Sequence, residues 1–330
     1  MDEPASTAPI RVGAAIDIGS NSAHLLVAAV GAGGGSPLVP LVDESVFLGL
    51  GERVAATGAL GAEAREATVA ALAGFAATAR SRGVADDALL LLGTEPVRRA
   101  ADGPLLAAEV EAALGVPLRI LDHDEEAWLT ALAITGGRTP AGPLVIVDSG
   151  GGSTEVALLA PGRAPVASGF RLGTASLTAA VAPADPPTAD DLARLETAAA
   201  RILAGLAPVP GARVVGLGGT VSNLAKLLPP PGAGGADAAD RRLTGDLLRP
   251  IEAELLATPA AALVAGRGLN PRRAPLMAAG LAIVRALLAR LGADAIEVSE
   301  ASCREGAIVA RALAGVAWRE RLASLVAGGD

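Results

Sequence analysis

Cysteine is almost absent from this chain, since Cys303 is the only one among 330 residues. A single cysteine excludes an internal disulfide framework and a cysteine metal cluster. Lone cysteines usually serve as small buried packing residues, and we expect that of Cys303. The chain therefore fits a reduced setting, and we predict a cytoplasmic location.

An excess of basic charge and a long apolar run are missing as well. The formal net charge is −8, which argues against broad nucleic-acid binding because that requires a basic face. The first four residues, M-D-E-P, offer no apolar signal-peptide core. The longest apolar helical stretch, 274–284, stops at Arg273 and Arg285, so we expect it to be too short to span a membrane.

What the chain does contain is one short pattern, written twice. Residues 16–24 read I-D-I-G-S-N-S-A-H, and residues 147–155 read V-D-S-G-G-G-S-T-E. Each has an Asp after an apolar run, a Gly two residues on and a Ser three residues later, and each then resumes an apolar run. This spacing predicts a strand, a tight glycine turn and a second strand in both halves. The repeat indicates two matching domains that face one charged ligand.

Turns rich in Gly and Ser suit phosphate. Successive backbone N–H groups form a concave anion site, Gly permits positive φ and leaves no Cβ in the way, and hydroxyl and amide groups add donors. An ordinary hairpin turn is the alternative, because Gly, Ser, Asn and Asp are common turn residues; the repeat favours phosphate. The candidate phosphate-binding residues here are Asp17, Gly19, Ser20, Asn21, Ser22, Gly150, Gly151, Gly152, Ser153 and Thr154.

The carboxylates at the hairpin entrances would repel a bare phosphate, but a bound cation reverses the sign. Mg²⁺ takes oxygen ligands and bridges carboxylate to phosphate oxygens. The candidate metal ligands are Asp17, Asp148 and Glu155, with Mn²⁺ as the alternative ion.

Two further segments offer anion contacts. Residues 216–223 follow a strand and open a helix, and a helix N-terminus preceded by glycines binds anions, which makes Gly218, Gly219 and Thr220 candidates. A plain strand–helix connection is the alternative. Arg98 follows a buried strand, where open α/β sheets place their ligands. Its alternative is a solvated surface arginine.

Residues 122–126, D-H-D-E-E, form an acidic cluster at a predicted helix start. Asp124 and Glu125 suit the positive end of the helix dipole. A carboxylate left over and facing a ligand could orient water as a general base. We expect His123 to be exposed, whereas His24 suits either a phosphate donor or a structural histidine.

The rest of the chain predicts a mixed α/β sheet in each half. A glycine-rich break at 136–140 is the expected hinge or boundary, with a turn at 33–37 and a loop at 229–239. Long helices are predicted over 274–291 and 304–326.

Together these segments resemble the exopolyphosphatase and guanosine pentaphosphate phosphohydrolase (Ppx/GppA) family. The resemblance extends from Arg11 to Ile308. The segments that carry it are 15–22, 94–98, 125–127, 147–155, 216–220 and 304–306. The wider actin, sugar-kinase and heat-shock-protein ATPase group shares the hairpin pair. The Glu-Glu-Ala segment before the second hairpin narrows the resemblance to this family.

The resemblance implies an α/β fold of two actin-like (ribonuclease H-like) domains with mixed sheets around an interdomain cleft. Domain I would span residues 10–135, with the first phosphate loop and the catalytic glutamate. Domain II would span residues 136–330, with the second loop and a C-terminal helix that can pack back on domain I.

The resemblance also implies Mg²⁺-dependent hydrolysis of a terminal phosphoanhydride bond. By position, Glu126 matches the family's catalytic base, Asp148 and Glu155 match carboxylates at the metal and phosphate, and Arg98 matches a phosphate-contacting arginine. Inorganic polyphosphate is the first expected substrate and guanosine pentaphosphate the second. A low-turnover sensor of either compound stays open. Glu126 argues against a small-molecule kinase, and a homodimer is left open.

Four residues depart from the family pattern. Phe47 and Trp128 replace arginines, Ser149 replaces an apolar residue, and Pro275 replaces an aspartate. The two lost arginines weaken the case for long-chain polyphosphate more than the case for the chemistry.

Overall fold

The computed structural model describes residues 11–31, 38–228 and 241–328, so the predicted turn at 33–37 and loop at 229–239 lie outside the described residues. The chain forms two compact units. The first contains the described residues up to Thr139 and those from Cys303 onward, and the second is Pro140–Ser302.

The first unit is built on a five-stranded sheet with the strand order β3-β2-β1-β4-β5. Its strands are β1 (Arg11–Ile18), β2 (Ser22–Val30), β3 (Val39–Phe47), β4 (Leu89–Gly93) and β5 (Leu118–Ile120). Its helices are α1 (Leu50–Thr57), α2 (Ala62–Ser81), α3 (Glu95–Arg99), α4 (Gly103–Leu114), α5 (His123–Thr135), α12 (Cys303–Ala314) and α13 (Leu322–Val326).

The second unit is built on a six-stranded sheet with the order β10-β11-β9-β6-β7-β8. Its strands are β6 (Leu144–Ser149), β7 (Thr154–Leu159), β8 (Val166–Phe170), β9 (Arg213–Leu217), β10 (Arg242–Thr244) and β11 (Ala295–Val298). Its helices are α6 (Thr174–Val181), α7 (Ala189–Ile202), α8 (Gly218–Ala225), α9 (Gly245–Ala257), α10 (Ala260–Arg267) and α11 (Met277–Leu291).

Both sheets are mixed and share one plan. Three antiparallel strands come first, β1-β2-β3 and β6-β7-β8, and the next strand, β4 or β9, pairs in parallel with the first. This plan confirms the predicted α/β fold with a mixed sheet in each half. The parallel pairs carry continuous apolar runs because both faces of the sheet are buried there.

The C-terminal segment differs from the single helix predicted over 304–326. Gly315 adopts a left-handed φ of 61°, and the chain continues as a short 3₁₀ turn before α13. Helix α12 packs closely on the first unit: a Cβ added to Gly306 would lie 1.7 Å from the carbonyl oxygen of Leu129 on α5. A Cβ on Gly13 of β1 would lie 3.0 Å from Ile308.

The apolar stretch predicted to be too short for a membrane is longer in the structure. Ala274–Leu291 forms 18 consecutive helical residues that pass the length and composition test for a membrane span, and 67% of them are buried. Arg285 on this helix pairs with Glu196 and Glu252. These contacts are typical of a core helix. The helix predicted over 274–291 is confirmed, whereas the expectation that its apolar stretch is too short to span a membrane was wrong by length and composition.

Candidate active site

The two predicted hairpins have the same turn. In the first unit the N–H of Gly19 donates to the carbonyl of Ser22 at 3.0 Å, and in the second the N–H of Gly150 donates to Ser153 at 3.0 Å. Asp17 lies opposite His24 across β1 and β2, and Asp148 lies opposite Glu155 across β6 and β7. The residues paired by the sequence repeat therefore occupy matching places in each unit.

The turn glycines do not need left-handed backbone. Neither Gly19 nor Gly150 has positive φ, so the expected use of glycine for that purpose is wrong at these two positions. A Cβ on Gly19 would lie 3.5 Å from the Ser22 carbonyl oxygen and 3.8 Å from Asp17 Oδ2, and a Cβ on Gly150 would lie 3.8 Å from the Ser153 carbonyl oxygen, all ordinary van der Waals distances. Because neither the backbone nor packing requires glycine there, its small size leaves room for a ligand to approach the turn.

The repeat continues beyond the hairpins. The third strand ends as Phe47-Leu48-Gly49 in the first unit and continues as Arg171-Leu172-Gly173 in the second, and a helix follows each glycine. The second residue of each helix then bonds to the turn: Gly51 N–H donates to Ser20 at 2.7 Å, and Ala175 N–H donates to Gly151 at 2.9 Å. These hydrogen bonds attach each turn to the N-terminus of the helix that follows the third strand.

A charged pair supports the turn in the first unit. The Ser20 hydroxyl donates to Glu95 Oε2 at 3.1 Å, and Glu95 Oε1 pairs with Arg99 Nε at 3.0 Å. Arg99 also donates to the carbonyl of Gly51 at 3.3 Å. The sequence did not single out Glu95, because its contact with Ser20 depends on the pairing of β1 with β4.

The acidic cluster divides as expected. Asp122 caps α5 in a capping box with Glu125, and Glu125 also pairs with Arg319. Glu126 is the carboxylate left over, and it is buried at 8% exposure. It pairs with Arg98 at 2.9 Å.

Arg98 connects Glu126 to the start of α5. Its guanidinium also donates to the carbonyl of Leu121 at 2.6 Å and lies 3.2 Å from His123 Nδ1. The prediction that His123 is exposed was wrong: the residue is half-buried, and Arg98 from α3 contacts its Nδ1. Burial and the neighbouring Arg98 charge lower the pKa of His123, so the neutral ring can accept from Arg98. Arg98 thus holds the Glu126 carboxylate in one orientation.

Hydroxyl groups support the turn in the second unit. Ser149, Thr154 and Thr220 are buried, and Ser149 Oγ lies 3.0 Å from Thr154 Oγ1 and 3.1 Å from Thr220 Oγ1. Thr154 also reaches the Leu172 carbonyl at 2.6 Å, and Thr220 reaches the Gly150 carbonyl at 3.2 Å. The hydroxyl of Ser149, where the resembled family has an apolar residue, thus joins the hairpin to the start of α8.

Asp148 and Glu155 form a close pair of carboxylate positions. Glu155 is 3% exposed, and a Cβ on Gly218 would lie 2.4 Å from Asp148 Oδ1. Gly218 has a φ of 81°, so both its backbone and its lack of Cβ make room for Asp148. This pair fits Mg²⁺, which is usually bound by one or two carboxylates, with phosphate oxygens and water at its other coordination positions. Within the described residues no cluster of three metal-ligating side chains occurs, and Asp17 lies in the other unit.

Arg273 is a site residue that the sequence analysis missed. A Cβ on Gly219 would lie 3.3 to 3.4 Å from its guanidinium atoms, so the side chain covers the predicted third loop. Burial lowers the pKa of Arg273 from its ordinary value. The arginine lies far along the chain from Gly219, and only the fold brings them together.

The replaced residues differ in their surroundings. Trp128 is buried at 9% exposure, so it serves packing. Phe47 is 44% exposed and lies opposite Ser22 of the first turn.

The single cysteine, Cys303, is buried, as predicted. Pro275 lines a small apolar pocket with Ala274.

Comparison with known proteins adds independent findings. A sequence profile of the Ppx/GppA phosphatase family matches residues 26–314. Exopolyphosphatase 2 of Mycobacterium tuberculosis is 33% identical over 325 residues, covering 92% of this chain and 98% of that protein. Exopolyphosphatase 1 of Mycobacterium leprae is 29% identical, covering 89% and 87%. The crystal structure of the Aquifex aeolicus Ppx/GppA family member aligns with a TM-score of 0.80 at 26% identity, covering 92% and 98%.

Proposed function

The chain belongs to the Ppx/GppA phosphatase family and is a phosphoanhydride hydrolase, and we propose that it releases terminal phosphate from inorganic polyphosphate with Mg²⁺ bound. The similar proteins named exopolyphosphatase support this substrate. The net charge of −8 repels a polyanionic substrate overall. Such a substrate can therefore bind only where local hydrogen-bond donors and a cation hold it.

The observation that carries the proposal is the buried, oriented carboxylate of Glu126. Arg98 holds it at 2.9 Å, and the neighbouring carboxylates are used for the helix cap. Phosphoryl transfer depends on positioning and electrostatics, so one base, two anion-binding turns and a cation site are sufficient.

In the proposed reaction Glu126 accepts a proton from water, and the water oxygen forms a bond to the terminal phosphorus. The bond from that phosphorus to the bridging oxygen breaks. The shortened polyphosphate leaves with the bridging oxygen and its negative charge, and the attacked phosphorus is released as inorganic phosphate. Each unit offers its own groups for phosphoryl oxygens: backbone N–H groups of the first turn and the Asn21 amide in the first unit, and backbone N–H groups of the second turn and the Arg273 guanidinium in the second. Asp148 and Glu155 would hold Mg²⁺, which supplies positive charge for the developing phosphate oxygens.

Two neighbouring glutamates provide the test. Glu126→Gln keeps the shape of the side chain but loses the base, so we expect phosphate release from long-chain polyphosphate to fall about 10²- to 10⁴-fold. The control is Glu125→Gln, which retains a good capping residue and should keep turnover within a few-fold. Release is measured with and without Mg²⁺. An unchanged rate in Glu126→Gln would remove the base assignment.

Guanosine pentaphosphate is the second candidate substrate, and Phe47 is the observation that favours it. An exposed aromatic ring beside a phosphate-binding turn can stack on a purine base. Phosphate release from this nucleotide but not from polyphosphate would select it. Tight nucleotide binding without release would instead select the sensor. The cytoplasmic location and the absence of nucleic-acid and membrane partners stay predictions.

A further inference from the structure

The Glu95 carboxylate constrains the hydroxyl of the first turn. Ser20 Oγ lies 3.1 Å from Glu95 Oε2, and the Glu95 side chain is only 14% exposed. An ionised carboxylate accepts hydrogen bonds and cannot donate them, so Ser20 is the donor. A serine hydroxyl has one proton to donate, and Ser20 uses it in the hydrogen bond to Glu95.

The direction of this bond is held by a closed ring of contacts. Arg99 Nε pairs with the other oxygen of Glu95 at 3.0 Å, and its Nη2 donates to the carbonyl of Gly51 at 3.3 Å. The N–H of Gly51 returns to the Ser20 carbonyl at 2.7 Å. The ring fixes both the carboxylate and the turn.

A ligand that reaches the Ser20 hydroxyl therefore meets lone pairs. Ionised phosphate oxygens are also acceptors and gain nothing from them. We propose that Glu95 is a positioning residue that fixes Ser20 as a hydrogen-bond acceptor, so that the hydroxyl faces a water molecule rather than a phosphate oxygen. This inference rests on the proposed function, because it places polyphosphate at the first turn. The backbone N–H of Ser20 stays available to phosphate.

The second unit shows that such a turn does not need a charge behind it. Asp17 pairs with Leu92, and the matching Asp148 pairs with Leu217, so Glu95 and Thr220, each three residues further on, occupy matching positions after β4 and β9. Thr220 supports its turn with a neutral hydroxyl. A charged side chain is therefore not needed to hold such a turn, and the effect of the Glu95 carboxylate is on the hydrogen bonding of Ser20.

The test is a double-mutant cycle on Glu95→Gln and Ser20→Ala. In Glu95→Gln, the positive charge of Arg99 next to the side chain favours the Gln oxygen on its side, which turns the amide NH₂ toward Ser20 and frees the serine proton for phosphate. We expect about fivefold tighter binding of inorganic tripolyphosphate. Ser20→Ala should weaken binding less than twofold in the wild type and about fivefold in Glu95→Gln.

Binding is measured by calorimetry without divalent cation, so no turnover is needed, and thermal melting checks the fold. The matched control is Glu109→Gln, which removes the same charge from an ion pair with Arg65 and should leave the dissociation constant unchanged.

Three outcomes would overturn the inference. These are tighter binding in Glu95→Gln that survives Ser20→Ala, a fivefold loss on Ser20→Ala in the wild type, and no tripolyphosphate binding in any of the four proteins. A wild type that binds tripolyphosphate but releases no phosphate from polyphosphate would contradict the proposed function alone, and the cycle would still decide the role of Glu95.

Discussion

In the first unit the hairpin turn rests on a glutamate–arginine pair, whereas in the second unit the matching turn rests on three hydroxyl groups. The backbone of the two turns is the same, with one N–H···O bond of 3.0 Å in each. The matched positions are Ile18 and Ser149, Ala23 and Thr154, and Glu95 and Thr220.

The comparison shows that the backbone of the turn and the side chains that support it can vary independently. The turn is set by the spacing of Asp, Gly and Ser and by the helix that follows the third strand. The support is free to change its chemistry, because the side chains behind each turn come from other strands and helices. A charged support changes what the first turn offers a ligand, whereas hydroxyls add no charge beside Asp148 and Glu155.

The largest expected effect comes from filling the space between α8 and the second hairpin. Gly218→Ala puts a Cβ 2.4 Å from Asp148 Oδ1 and 2.6 Å from the Ser149 carbonyl, on a backbone with a φ of 81°. We expect a loss of roughly 3 kcal/mol from left-handed strain and overpacking together. Thermal or urea unfolding measures it, and phosphate release should fall because Asp148 is displaced.

The matched control for that change is Gly268→Ala. Gly268 also has a left-handed φ, 63°, but an added Cβ meets nothing within 4 Å. This variant should lose only the strain, about 1 kcal/mol. Equal losses in the two variants would contradict the close packing of Gly218 on Asp148.

A smaller effect is expected from breaking the hydroxyl support. Ser149→Ala leaves the buried Thr154 and Thr220 hydroxyls without their shared partner, which should cost about 1 to 2 kcal/mol in the free energy of unfolding. Ser168→Ala, on the neighbouring edge strand β8, is the control and should stay within about 0.5 kcal/mol. A Ser149→Ala protein as stable as wild type would mean that the apolar residue usual in the family serves equally well.

Local patterns predicted much of the fold and the centre of the candidate site. The D-x-G-x-x-S spacing predicted both hairpins because turn chemistry is local, and the surplus carboxylate of residues 122–126 led to Glu126. The role of Glu126 itself stays a prediction.

Contacts set by strand pairing or helix packing were not visible in the sequence. Glu95 reaches Ser20 only because β4 pairs with β1, and Arg273 reaches Gly219 only through the packing of the second unit. The sequence predicted an exposed His123, since it does not reveal that Arg98 from another helix contacts the ring nitrogen Nδ1. Helix α12 lies in the first unit because Gly306 allows close contact with α5, which periodicity does not reveal.

The smallest expected effect tests the exposed ends of the third strands. Phe47 and Arg171 precede the same Leu-Gly pair in the two units, so the first unit lacks a cation that the second has. Phe47→Arg should lower the KM for long-chain polyphosphate about threefold at low salt, because exposed charge pairs contribute up to about 1 kcal/mol. The gain should shrink near 1 M salt, where charges are screened over about 3 Å. Phe47→Gln separates loss of the ring from gain of charge. If Phe47→Arg instead leaves the KM for polyphosphate unchanged and weakens the binding of guanosine pentaphosphate, the Phe47 ring contacts the purine base.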